Sequence, residues 1–236
     1  EELRSARGIL DISSDTILGA GPHGAIMHYR VNEDSNRRIL PGDIVLVDSG
    51  AQYRNGTTDI TRTLPMGRGY DPAVRRPYTR VLQGMIAISR AQFPRGVAGA
   101  HLDALARAPL WSEGMDYDHG TGHGVGAGLS VHEGPVRIAR ISDIPLRPGM
   151  ILSNEPGYYR EGAFGIRLEN LIVVRKVESV DGRDMLGFET LTLAPLDRRL
   201  IEPGLLSRDE IIWLDAYHAR VWDEISSLVE GEVRDW

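Results

Sequence analysis

Four carboxylates and one imidazole stand where strands could aim them at a common point: Asp48, Asp59, Glu155, Glu169 and His123. An oxygen-rich set with one nitrogen suits two hard or borderline divalent cations, such as Mn²⁺, better than a thiolate zinc site; Zn²⁺ and Co²⁺ are the other candidates. The chain has no cysteine, so a metal here must be held by oxygen and imidazole. Two ions about 3.5–4 Å apart can hold a bridging hydroxide and polarise a carbonyl, which is hydrolytic chemistry. Electrostatics points the same way. Carboxylates gathered in one buried site cannot all ionise unless a proton or a cation is shared.

The stretch Asp118-His-Gly-Thr-Gly-His-Gly-Val-Gly-Ala-Gly-Leu-Ser-Val-His-Glu133 holds His119, His123 and His132, and glycine fills every second position from Gly120 to Gly128. So much glycine argues against a helix, at roughly 1 kcal/mol each relative to alanine. The pattern predicts an extended strand with residues 119, 121 and 123 on one face and the two imidazoles about 7 Å apart. The missing side chains on the other face admit another backbone or a ligand. The spacing is Gly-x-Gly-x-Gly, not the Gly-x-Gly-x-x-Gly of a dinucleotide cradle, and a zincin His-Glu-x-x-His helix is absent. A flexible loop with incidental histidines is the plain alternative. The flanking carboxylates favour a site.

The elements that must carry these side chains are readable as hairpins. Ile44-Val-Leu-Val47 is a buried-strand run ending at Asp48, and Thr58-Asp-Ile-Thr-Arg-Thr63 alternates as a second strand, with Asn55-Gly56 as the turn signal. A tight turn at Asn55-Gly56 would oppose Gln52 to Asp59 and leave Asp48 roughly 13 Å away. A wider loop over about 51–56, with Asp48 directly opposite Asp59, is therefore predicted. Residues 150–155 and 166–174 form the other strand pair. Glu155 and Glu169 are equidistant from Gly162, so antiparallel pairing sets them face to face, where bare like charges repel. Two such hairpins hint at an internal duplication.

Elsewhere, residues 8–31 read as strand and loop, with His28 in a short strand-like run. Residues 71–92 predict a helix with a Tyr78, Val81, Leu82, Met85 and Ile88 stripe, entered through Asp71-Pro72 and open to a kink at Pro77. A shorter helix spans 101–113, with His101 solvated or capping its start. Residues 187–195 give a last strand. Ser207-Arg-Asp-Glu210 is a capping box opening a long helix with the stripe Ile211, Leu214, Val221, Trp222, Ile225 and Leu228. His218 and Trp222 are expected to pack.

The 236 residues suffice for one large domain with a full core, and 42% hydrophobic and 25% charged content are ordinary for a globular protein. A net charge of −6 argues against nucleic acid as a partner. No apolar run is long enough to span a bilayer, no signal peptide is evident, and the lack of cysteine fits a reducing, cytoplasmic setting. The opening Glu-Glu-Leu-Arg, without methionine, suggests a piece of something longer.

These motifs carry a family resemblance. Asp-Ser-Gly-Ala-Gln-Tyr, Thr-Thr-Asp-Ile-Thr-Arg-Thr, His-Gly-Thr-Gly-His-Gly-Val-Gly, Asn-Glu-Pro-Gly-Tyr-Tyr and Gly-Ile-Arg-Leu-Glu-Asn resemble the catalytic domain of the aminopeptidase P (Xaa-Pro aminopeptidase) family. That family belongs to the pita-bread metallopeptidases, with methionine aminopeptidase and prolidase. The likeness runs through nearly the whole chain. It implies an α+β fold in which a curved antiparallel sheet is flanked by helices. Residues 1–195 would be the catalytic domain, lacking the family's further N-terminal domains and opening helices, and residues 196–236 a helical extension contributing to a homodimer.

The resemblance also implies roles. Asp48 would hold one metal, Asp59 and Glu169 would bridge both, and His123 and Glu155 would hold the second. A metal-bridging hydroxide would attack the carbonyl before proline, with Glu155 as general base. His28 and His132 would orient the substrate and stabilise the tetrahedral intermediate, and His119 and Arg167 would line the pocket near proline. The substrates implied are peptides with proline second. An Xaa-Pro dipeptidase of the prolidase kind and a metal-free binding module are the competing readings.

Overall fold

The computed structural model describes residues 8–128 and 130–235. Among the described residues twelve strands are formed: β1 (Asp11–Ile12), β2 (Ile17–Ala20), β3 (Ile44–Tyr53), β4 (Gly56–Pro65), β5 (Gln92–Pro94), β6 (Gly122–Val125), β7 (His132–Ile138), β8 (Ile151–Asn154), β9 (Gly157–Arg160), β10 (Phe164–Arg167), β11 (Asn170–Val177) and β12 (Met185–Thr190). The helices are α1 (Arg75–Ser89), α2 (Gly99–Trp111), α3 (Arg208–Ile225) and the short α4 (Gly231–Asp235). Every described strand pairing is antiparallel.

One sheet is built on β3, which pairs with β4 along one edge and with β1 and β2 along the other. A second runs β5-β12-β11-β8-β6-β7, and β9 and β10 form a separate hairpin. This is the expected α+β architecture of antiparallel sheets flanked by helices. α1 lies at its centre because it is apolar on more than one side. Tyr78, Val81, Leu82, Met85 and Ile86 join Phe164, Ile166 and Leu168 in one core, and Ile88 joins a second with Leu102, Ile138, Leu152, Ile172 and Val174. Leu196, Leu200, Ile201, Leu214, Tyr217 and Val221 share the first core, so the C-terminal segment packs directly against α1 and β10.

Several boundaries differ from the sequence reading. α1 starts at Arg75 after a 3-10 turn at Pro72–Val74, and Pro77 falls in its first turn, where no backbone donor is needed, so the helix runs on. His101 caps α2, accepting from the Ala98 amide at 3.1 Å. β12 ends at Thr190, short of the predicted 195. The capping box at Ser207 and Glu210 has both reciprocal bonds. The stripe of α3 holds at Leu214 and Val221, which are buried together with Tyr217, whereas Ile211 and Trp222, expected to pack, are exposed, Trp222 by 57%.

The N-terminal wall of the molecule meets β10 backbone to backbone. A Cβ on Gly165 would lie 1.7 Å from the Gly24 carbonyl oxygen, and one on Gly24 would lie 3.2 Å from the Gly165 amide nitrogen. The 3-10 turn Gly21–Ala25 is thereby held against the hairpin, and the turn that follows presents His28. His28 is in that turn and not in a strand.

Candidate metal centre

The β3–β4 hairpin supplies the first two carboxylates. Tyr53 pairs with Gly56, so the loop is the two residues Arg54-Asn55 and not the wider 51–56 loop expected from the sequence. The turn sits one residue earlier than the Asn-Gly signal suggested. Asp48 then opposes Thr61, and Asp59 opposes Gly50. The two aspartates are diagonal neighbours on one face. Diagonal pairs are about 7–8 Å apart at the backbone, within reach of converging side chains, so direct opposition was never required.

The second pair comes from the 150s and 160s. Asn154 pairs with Asn170, and Gly157 with Arg167, so Glu155 and Glu169 fall on the intervening register, facing as predicted. The strands are broken there. The Glu155 amide donates to the Thr121 carbonyl at 2.8 Å, and the Glu169 amide to the Thr61 carbonyl at 3.1 Å. Each glutamate is thus tied to the segment that carries its prospective partner, Glu155 just before β6 and Glu169 on β4.

The glycine-rich segment delivers His123. β6 begins only at Gly122, so His119 lies in a bend and does not share a strand face with His123, contrary to the alternating pattern. Glycine is used here for close approach. A Cβ on Gly122 would sit 2.0 Å from the Ser153 carbonyl oxygen, and one on Gly124 would sit 2.3 Å from that of Glu133. The bend before β6 is held from α2. Arg107 donates to the carbonyls of Tyr117 (2.6 Å) and His119 (2.8 Å), while pairing with buried Asp103 at 2.7 Å.

These elements bring Asp48, Asp59, His123, Glu155 and Glu169 to one cleft of about 580 Å³, which His28, His119, His132 and Arg167 also line. His123 Nε2 lies 3.5 Å from Asp59 Oδ2 and 3.4 Å from Glu155 Oε1. Ligand atoms of Asp59, His123 and Glu169 all fall within 4.8 Å of one another. Glu169 Oε2 accepts from Thr61 Oγ1 at 2.8 Å, and Glu155 Oε1 from Ser153 Oγ at 2.9 Å. Asp48 Oδ2 accepts from Arg167 Nη2 at 2.6 Å, while its Oδ1 is buried without a hydrogen-bond partner.

The electrostatics fit a cation. Burial, then the charges of Asp59, Glu155 and Asp48, pushes Glu169 well above the carboxylate range. Burial lifts Glu155 to about 7 against the pull of His123 and Arg167, and burial also raises Asp48. Burial would lower His123, but its hydrogen bond to Asp59 and the charge of Glu155 raise it to about 9. His123 Nδ1 faces the Gly124 carbonyl at 2.9 Å and must donate to it, which leaves Nε2 for a metal in the neutral ring. An orphaned oxygen, an available imidazole nitrogen and crowded acids are a donor set that divalent ions complete.

The remaining predicted residues take distinct positions. His119 Nδ1 donates to the Gly120 carbonyl (2.7 Å), so Nε2 accepts from the Tyr159 hydroxyl (2.9 Å), which itself accepts from Arg167 Nη1 (2.7 Å). Burial and nearby Arg167 and Arg107 lower His119 to about 4, keeping it neutral. Arg167 is 3% exposed and lies beneath the carboxylates. His132 opens β7 with its ring 4.2 Å from that of His123, and His28 stands exposed on the cleft wall. Thr61, Ser153 and Tyr159 escaped the sequence reading. The first two stand two residues along a strand from Asp59 and Glu155, and that period-2 spacing was the available signal.

Residues 1–176 match the model of metallopeptidase family M24, and residues 184–236 match that of the C-terminal region of peptidase M24. The chain is 51% identical to Aminopeptidase P2 of Arabidopsis thaliana over 98% of its own length and 33% of the relative's. It is 46% identical to a probable Xaa-Pro aminopeptidase P of Aspergillus fumigatus, over 100% of this chain and 37% of that protein. The chain thus spans little more than a third of these curated relatives. Among solved structures, the X-prolyl aminopeptidase of Caenorhabditis elegans, described as a cytosolic enzyme with a di-nuclear active site, superposes with a TM-score of 0.92 at 39% identity, covering 99% of this chain and 38% of that one. Prolidase from Pyrococcus furiosus superposes with a TM-score of 0.68 at 30% identity, over 80% of this chain and 52% of that one.

Proposed function

This chain belongs to metallopeptidase family M24 and has its pita-bread fold, and from that premise we propose that it is the catalytic part of an Xaa-Pro aminopeptidase. It would release an N-terminal residue from peptides with proline second. The observation that carries the reading is the convergence of Asp48, Asp59, His123, Glu155 and Glu169 in one cleft.

In this assignment Asp48, Asp59 and Glu169 would hold one divalent ion, and Asp59, Glu169, His123 and Glu155 would hold the second, Mn²⁺ being favoured by the oxygen-rich set. When bound, such a pair acidifies water and polarises the scissile carbonyl. The protein's own groups do the rest. Glu155 is the general base: Ser153 Oγ pins its Oε1, which leaves the other oxygen for the proton. His132, beside His123, and His28, also on the cleft wall, would orient the substrate and hydrogen-bond the developing oxyanion. Neutral His119, fixed by Tyr159, lines the proline side of the cleft, and Arg167 fixes Asp48 and Tyr159 from below.

Residues 1–195 form the catalytic domain in this reading and residues 196–236 its extension. The exposed Ile211, Ile212, Trp222 and Leu228 support a homodimer through that extension. Among the described residues no helix is long and apolar enough to cross a membrane. A cytoplasmic setting is supported by the cytosolic description of the nematode relative.

The test is turnover by the purified chain with added Mn²⁺ on Gly-Pro and on longer peptides beginning Arg-Pro-Pro. Cleavage of the longer peptides is expected. Activity on Gly-Pro alone would indicate a dipeptidase, and no metal-dependent cleavage of either would overturn the enzyme reading.

A further inference from the structure

Arg62 neighbours the metal-site face of β4 but points the other way. Strand alternation sets Asp59 and Thr61 on the face toward the cleft, and Arg62 on the opposite one. It is 8% exposed and, among the described residues, has no carboxylate in a salt bridge with it. Its donors go elsewhere: Nη1 to the Thr61 carbonyl (3.0 Å) and the Glu169 carbonyl (2.6 Å), Nε to the Pro195 carbonyl (2.9 Å), and Nη2 to Asn170 Oδ1 (2.8 Å), the Ala194 carbonyl (2.8 Å) and the Tyr217 hydroxyl (3.2 Å). Tyr217, on α3, donates in turn to the Ala194 carbonyl at 2.7 Å. Arginine's planar five-donor fork reaches all six acceptors, Nη2 sharing its two N–H groups among three of them; lysine, with three donors on a point charge, cannot.

Glu169 is consequently gripped from three sides. Its amide goes to the Thr61 carbonyl, its carboxylate to Thr61 Oγ1, and its carbonyl to Arg62. We infer that Arg62 is a positioning residue that fixes the Glu169 peptide unit, and that Tyr217 ties this grip to the C-terminal helix, so that residues 194–217 help form the bridging position of the metal centre. The inference rests on the assignment of Glu169 as a bridging ligand. Outer contacts of this kind orient ligands, and losing one costs about 10–100-fold in metal affinity.

Co²⁺ alone is the probe, titrated into the metal-free protein with d–d absorbance and calorimetry as readouts. The proteins are the wild type, Arg62→Lys and Tyr217→Phe. The wild type is expected to take two equivalents. Because Glu169 serves both ions in this assignment, Arg62→Lys should bind both equivalents about 10-fold or more weakly, and Tyr217→Phe should weaken them less, in the same direction. General loosening of the fold would lower the urea midpoint of the metal-free protein in step, and weakened binding that merely tracks that midpoint overturns the inference. Wild-type-like binding of both equivalents by the two variants overturns it as well. Where Arg62→Lys fails to fold, unshifted binding by Tyr217→Phe, which loses one hydroxyl, overturns it equally. A wild type that binds no Co²⁺ overturns the metal assignment and the inference with it.

Discussion

Glu155 and Glu169 share a rung between the two paired stretches of their hairpin, and each sends its amide outward, to the carbonyls of Thr121 and Thr61. Those outward bonds set both acids beside His123 and Asp59. Replacing Glu155 by alanine is therefore expected to lower kcat by about 10²–10⁴-fold, the usual worth of a positioned base. It should also weaken one of two Mn²⁺ equivalents. Steady-state kinetics beside a metal titration checks both, and unchanged turnover would remove Glu155 from its role.

Metal-free protein should show an inverted pH response. Glu155 titrates near 4.5 when unfolded and near 7 when folded, and His123 near 6.5 and near 9. Between those limits the folded state binds more protons than the unfolded one. The cost of ionising Glu155 is absent below 4.5 and complete above 7, and the support from protonated His123 is full below 6.5 and gone above 9. Thermal melts of chelated protein should accordingly fall from pH 6 to pH 8.5. With Mn²⁺ the slope should reverse, because the ions need deprotonated ligands. A metal-free melt that rises over this range contradicts the assignment.

Chelation itself should lower Tm at neutral pH, and adding Mn²⁺ should restore it in a concentration-dependent way. Saturation to about 100 times Kd is worth about 2.7 kcal/mol by mass action. Calorimetry that shows one melting temperature from zero to millimolar Mn²⁺ would exclude binding to the native state.

His218 accepts from the Leu196 amide at 3.0 Å and is not among the described residues that line the cleft. His218→Ala should leave turnover nearly unchanged and shift metal binding less than Arg62→Lys does. It should cost about 1–3 kcal/mol by orphaning that amide, readable as a lower urea midpoint. Damage equal to that of Glu155→Ala would count against the site as drawn.

Arg107→Met should be costly without touching a ligand. Arg107 and Asp103 are paired with 3% and 2% side-chain exposure. Breaking such a pair typically costs about 3–5 kcal/mol. The expected signature is destabilisation together with a raised KM, since the bend bearing His119 loses its support. Replacing both partners by apolar residues should recover stability better than KM.

The chemistry was more legible in the sequence than the geometry that delivers it. Acid and imidazole types, Gly162 as the centre of a hairpin and the serine–glutamate cap are local signals, and they sufficed for the Glu155–Glu169 register and the start of α3. Turn placement was not local enough. Asn55-Gly56 announced a turn, but its position to within one residue is a matter of the β3–β4 register, which runs from Ile44 against Pro65 to Tyr53 against Gly56. His119 was misplaced for a similar reason, because the bend around it depends on a buried arginine from another helix. Arg62 carried no periodic or motif signal, since its partners at 169, 194 and 217 lie more than a hundred positions away.

The contact of Gly24 with Gly165 bears on how wide the mouth of the cleft can be. One hydrogen atom on each chain segment allows the wall that bears His28 to close on the hairpin that bears Arg167. A single methyl at position 165 would meet the Gly24 carbonyl oxygen and wedge the two segments apart. The width of the opening is in this sense gauged by side chains that are not there.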